Sequence, residues 1–183
     1  MLLGMASSRG FTIIELLITI TVMLILIMLA VVNLRSTQLN ARDSDRKSDV
    51  ESIARRLDSL YKTGYPTTVA LTQYSYPSQA TIVDDATSRQ AIFSVLPDGV
   101  LVDPLSSATS SIVKATNLNT GLLSAGATPV TPFPSATNPY VYQPISTTGV
   151  LCTTTALTCR SFNLYYWSEV TPTTAAVVKS IYR

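Results

Sequence analysis

The sequence predicts an α+β chain: one long N-terminal α-helix, its second half packed on a small antiparallel β-sheet. Three observations predict it. Residues 11–34 form an apolar run broken by one charge, Glu15. No Pro or Gly interrupts the chain from Phe11 to Thr63. Beyond it, short apolar and aromatic runs alternate with turn-forming residues, a pattern of strands laid on a helix.

The chain divides into four parts: a leader at 1–10, an apolar helix at 11–34, its amphipathic continuation at 35–63, and a globular part at 64–183. The leader, MLLGMASSRG, carries a single charge, Arg9. That residue would stay on the cytoplasmic side of a membrane, with everything beyond Leu34 facing outward. The 24 residues from Phe11 to Leu34 span about 36 Å as a helix, enough for a hydrocarbon core of about 30 Å with some tilt. Glu15 is the exception, because a carboxylate in hydrocarbon costs several kcal/mol unless it is paired, protonated or near the headgroups.

The helix signal continues through charged residues 35–62. Val50, Ile53, Ala54, Leu57, Leu60 and Tyr61 form an amphipathic stripe. Asp43 with Lys47, and Glu51 with Arg55, are acid-before-base pairs one turn apart, worth a few tenths of a kcal/mol each, roughly. Gly64 and Pro66 supply the stop. The spacing therefore predicts one helix over 12–62. A charged coiled-coil stalk over 35–62 is the alternative.

Residues 65–183 hold five basic and five acidic side chains and are rich in Thr, Ser, Ala and Pro. That composition suits an exported surface. A short helix is expected over 88–96, capped by the acids Asp84 and Asp85. Residues 105–138 read as a long surface loop. Strands are expected at Tyr140–Gln143, Phe162–Trp167 and Ala175–Tyr182, the last with Val178 and Tyr182 on one face and Val177 and Ile181 on the other. Cys152 and Cys159 are the only cysteines. In an exported domain they read as a disulfide closing a short loop, worth roughly 2.5 kcal/mol; two free thiols are the alternative.

Several functional classes are disfavoured. The chain has no histidine, so it lacks the commonest general base and metal ligand. Its seven glycines are scattered, and no phosphate-cradling loop appears. Net charge is +2, and basic residues do not cluster away from acids, so no nucleic-acid partner is expected. No enzyme activity, cofactor or metal is expected. Asp98 and Asp103 could offer carboxylates to a cation, but both sit beside Gly99 or Pro104 and read as turn residues.

Arg9-Gly10, Phe11-Thr12 and Glu15 ahead of the apolar run resemble the type IV pilin and pseudopilin family. The resemblance implies that a membrane peptidase cuts after Gly10 and methylates the new amino terminus on Phe11. It implies that Glu15 pairs with the amino terminus of a neighbouring subunit as a filament grows. The implied partners are further copies and other pilins, the prepilin peptidase, an inner-membrane assembly platform and a motor ATPase. The implied location is the cytoplasmic membrane of a bacterium, then a surface filament. Physical chemistry agrees: burying Glu15 beside a neighbour's α-amine offsets both charges, and losing one partner costs about 3–5 kcal/mol.

Tyr65-Pro66-Thr67, Asp103-Pro104, Asn138-Pro139-Tyr140 and Trp167-Ser168-Glu169 further resemble the globular region of the pseudopilin G type. Some members of that type bind calcium in a C-terminal loop, but no ligand spacing appears here. Unlike many major pilins, the apolar half carries no helix-breaking Pro. The expected function is a structural pilin subunit. The alternatives are a pseudopilin of a type II secretion or DNA-uptake apparatus, and a membrane-anchored binding domain that never polymerises. A plain signal anchor, with Glu15 at the interface, would suit the last.

Overall fold

A computed structural model describes residues 10–97, 99–107, 109–115, 118, 140–171 and 175–182, with the side chains of residues 32 and 33 outside that description. The leader up to Arg9, Asp98, the Asn138-Pro139 dipeptide and most of the expected 105–138 loop lie outside the described residues.

Helix α1 runs Ile13–Thr63, as the uninterrupted 12–62 pattern requires. It stops at Gly64, which adopts φ +89° and donates its amide to the Leu60 carbonyl at 2.8 Å. A left-handed residue ends a helix cheaply only when it has no Cβ. The chain forms two compact units, residues 1–39 and 40–183. In the first, the described apolar side chains from Phe11 to Leu34 are exposed, and α1 is long and apolar enough to cross a membrane.

In the second unit α1 becomes one-sided. Val50, Ile53, Ala54, Leu57, Leu60 and Tyr61, the stripe marked by the sequence, are all buried. They pack with Tyr140, Tyr142, Phe162 and Leu164 of the sheet in one core. At this many apolar contacts the stripe, rather than helix propensity, holds the segment helical. The sheet has four strands in sequence order: β1 (Ile112–Lys114), β2 (Tyr140–Ser146), β3 (Cys159–Trp167) and β4 (Ala175–Lys179). Strands β2, β3 and β4 are antiparallel, and β1 joins β2 in parallel, Ile112 opposite Tyr140. The sheet is therefore mixed.

Three local expectations change. Strand β1 lies within the stretch read as loop; its three residues sit among Ser and Thr and give no alternation long enough to detect. Strand β2 continues past Pro144, where a missing N–H would be expected to stop it. The Pro144 carbonyl instead accepts the Cys152 amide at 2.9 Å. The short helix α2 runs Ala86–Phe93, beginning two residues and ending three residues earlier than expected. Asp85 caps it, accepting the Thr87 and Ser88 amides at 3.0 and 3.2 Å. Asp84 does not cap; it pairs with Lys114 at 2.7 Å. A single π-type turn, Ala80–Asp84, precedes it, a feature no periodicity suggested.

Val178 and Tyr182 pack against the core, whereas Val177 and Ile181 are exposed, as their alternation indicated. Cys152 and Cys159 form a disulfide, fully buried, with Cα atoms 6.0 Å apart. It ties the start of β3 to the segment that feeds Gln79, whose amide donates to the Cys152 carbonyl at 2.9 Å.

Candidate functional site

The N-terminal residues are arranged by helix capping. Thr12 precedes α1, and its hydroxyl accepts the Glu15 amide at 3.2 Å. Its hydroxyl also reaches the Glu15 carboxylate at 3.4 Å. This is the S/T-x-x-E pattern of a capping box, and it places an acid in the first turn, where the helix dipole favours it. The same spacing is visible in the sequence at Thr12 and Glu15. Capping holds Glu15 at the very start of α1 and leaves it exposed.

Gly10 is exposed, and a Cβ built on it would meet nothing within 4 Å. Its φ is not among the left-handed glycines. No contact among the described residues requires glycine there. Phe11 beside it is also exposed.

A second polar cluster sits at residues 42–46 of α1. Arg46 is fully buried. Its Nε donates to Asp103 Oδ2 at 2.6 Å and one Nη to Asp43 Oδ1 at 2.8 Å. The other Nη reaches Glu169 Oε1 at 2.5 Å. Arg42 also pairs with Glu169, through Nε at 3.0 Å and Nη2 at 2.5 Å. Asp43 then accepts the Ser168 hydroxyl at 2.5 Å and the Glu169 and Val170 amides at 2.9 and 3.0 Å.

These contacts fix the charges. Hydrogen bonding from Arg42 holds the Glu169 carboxyl below its ordinary range, against the effect of burial. Burial works against the Asp43 charge, but the bonds from Ser168, the two amides and Arg46 outweigh it. Burial also opposes the Arg46 charge, and Asp103 and Glu169 reverse that and push the guanidinium up.

This cluster was missed. The expected Asp43–Lys47 pair gives way to Asp43 with Arg46 and the 168–170 turn. The Glu51–Arg55 pair does form, at 3.4 Å. Asp103, read as a turn residue, does accept the Leu105 amide at 2.9 Å, but its carboxylate is buried against Arg46. Asp98 lies outside the described residues. Among the described residues no group of three or more potential metal ligands occurs.

Next to this cluster α1 and the 97–106 segment enclose an open cleft of about 630 Å³, lined by Asp45, Asp49 and Asp103 among others. The Tyr140 hydroxyl donates to Asp49 at 3.0 Å. Burial, with Asp45 and Asp103 nearby, raises the Asp49 carboxyl to about 6 against that bond.

The chain thus combines an apolar helix with a capped acid at its start, long and apolar enough to cross a membrane, with a disulfide-bonded α+β unit. The comparison with known families goes one step further. A model of the prokaryotic N-terminal methylation motif matches residues 5–31. The chain therefore carries the type IV pilin and pseudopilin precursor signal. No curated protein and no solved structure matches the chain.

Proposed function

We propose that the chain is a structural subunit of an extracellular type IV pilus-like filament. The observation that carries this reading is the methylation motif over residues 5–31, laid on an exposed apolar helix whose first turn holds a lone acid. The prepilin peptidase cuts between Gly10 and Phe11. A glycine that no contact among the described residues requires supports that role, because a peptidase cleft must approach the backbone closely. Phe11 becomes the methylated amino terminus.

Residues 11–34 hold the precursor in the cytoplasmic membrane and later form the filament core, with 35–63 continuing the helix and 64–183 forming the outer surface. Apolar helix faces leave membrane and enter filament with little change in environment. Position must then come from charge. Glu15 of one subunit meets the α-amine of another, and the pairing selects register because an unpaired buried charge is costly. A motor ATPase and an assembly platform drive extraction.

A pseudopilin reading, a shorter filament within a secretion or DNA-uptake machine, rests on the motifs Tyr65-Pro66-Thr67 and Trp167-Ser168-Glu169. The test is Glu15→Ala in the native cell, following membrane-fraction and sheared surface-fraction protein. Filament assembly predicts normal membrane levels and loss of the sheared fraction. Wild-type protein that never appears as a filament, with Glu15→Ala indistinguishable from it, would overturn the proposal in favour of an anchored, non-polymerising domain.

A further inference from the structure

Tyr74 is the one non-glycine residue with a left-handed backbone among the described residues, at φ +63°. A bulky side chain there is strained, and strain of this kind clusters at functional positions. Hydrogen bonds hold it on both sides. The Tyr74 amide donates to the Tyr61 carbonyl at 2.9 Å, and the Tyr74 carbonyl accepts Arg160 Nη1 at 3.0 Å. Glycine would take this φ freely. What tyrosine adds is its ring, which is 54% exposed.

That ring stands at the end of an aromatic stack. Tyr76 and Tyr182 stack on Tyr61 with centroids 4.6 and 5.1 Å away. Two rings this close cannot share one face, so they occupy both. Tyr74 therefore meets the edge of Tyr61, with centroids 5.9 Å apart and planes at 78°. One face of Tyr74 rests on that edge, and the other is open.

Two cations flank the open ring. Arg160 Nη1 also donates to the Tyr61 hydroxyl at 3.3 Å. Lys62 is exposed and lies over the Tyr182 ring at 4.7 Å. Tyr182, with Tyr74 close by, pushes the Lys62 ammonium up from its ordinary value. The acid in this network, Asp58, is buried. It accepts the Tyr76 hydroxyl at 2.6 Å and the Ile181 amide at 3.2 Å, so its charge is turned into the unit. Arg160 lies 86 positions from Tyr74, which is why the basic residues look scattered along the chain.

We propose that Tyr74, Lys62 and Arg160 form a surface site for single-stranded nucleic acid, one base stacking on the open face of Tyr74 and the adjoining phosphates meeting Lys62 and Arg160. A nucleotide joins a flat ring to an anion, as this patch joins an open ring to two cations. Every base has such a flat face, so one tyrosine serves any sequence. A duplex keeps its base faces inside and meets only the cations. A neutral sugar needs acceptors for its hydroxyls, and the carboxylate here faces inward.

The test is fluorescence anisotropy of a labelled oligothymidine with the full chain in detergent micelles at low salt. Tyr74→Gly removes the ring at a φ that glycine takes freely, and near-ultraviolet circular dichroism checks its folding. It should weaken binding by about five- to a hundredfold. Tyr74→Phe keeps the ring and should bind like the wild type. Lys62→Gln changes an exposed side chain and should lower the slope of log affinity against log salt by about one. The same oligonucleotide annealed into a duplex should bind more weakly than the strand. No strand binding by the wild type, unchanged binding by Tyr74→Gly, or equal binding of duplex and strand would overturn the site. The assay uses single chains, so its failure leaves the filament proposal standing, and failure of that proposal leaves this result unaffected.

Discussion

Replacing Arg46 by alanine removes a side chain with no exposed surface and three carboxylate partners. Asp103, equally buried, keeps only its bond from the Leu105 amide among the contacts described here. Asp43 and Glu169 are 14% and 16% exposed, so water recovers part of their loss. The dominant cost is the buried Asp103 charge left without its guanidinium, about 3–5 kcal/mol. For a unit of this size that lowers Tm by roughly 10 °C or more. Arg46→Lys restores the charge but not the fork that reaches three partners at once, and recovers only part of the loss. The assay is near-ultraviolet circular dichroism of the full chain in detergent, which reads the buried tyrosines rather than the apolar half of α1. A loss below about 1 kcal/mol for Arg46→Ala would refute the reasoning, because an isolated surface pair costs no more than that.

Three further outcomes follow from the same structure. Asp49 has its carboxyl raised to about 6 from 3.8, so the folded unit favours its protonated form. That contribution is complete below the unfolded value and is lost as pH rises through about 6; Asp49→Asn should therefore raise Tm at pH 7.5 and flatten its slope between about pH 4 and 6.5. Asp43 and Glu169 act with the opposite sign, their lowered values giving stability that is lost as pH falls below the ordinary carboxylate range, so Glu169→Gln should flatten the acid limb. Reducing the Cys152–Cys159 bond, or replacing both by Ser, should cost about 2–3 kcal/mol in denaturant midpoint measurements.

What could be read from the residues depended on distance along the chain. The stripe from Val50 to Tyr61 repeats within one helix, and Gly64 punctuates it, so helix, face and end were all legible. Glu15 stood out because one charge in an apolar run has few explanations; its capping partner Thr12 was equally close but less unusual. The disulfide was legible because two cysteines leave one pairing. Arg46 was not. On the helix it looks like one of several charges on a wetted face, and its partners Asp103 and Glu169 lie 57 and 123 positions away. Strand β1 was lost for a related reason: three residues gain their strand character from the parallel neighbour β2, not from their own pattern.

The central claim is that the chain is a processed filament subunit, and intact mass tests it most directly. Protein from the membrane fraction of the native cell should weigh as a chain beginning at Phe11, heavier by one methyl group and lighter by the two hydrogens lost in forming the Cys152–Cys159 bond. The mass of the uncut chain retaining Gly10 would contradict the account and leave a permanently anchored domain in its place.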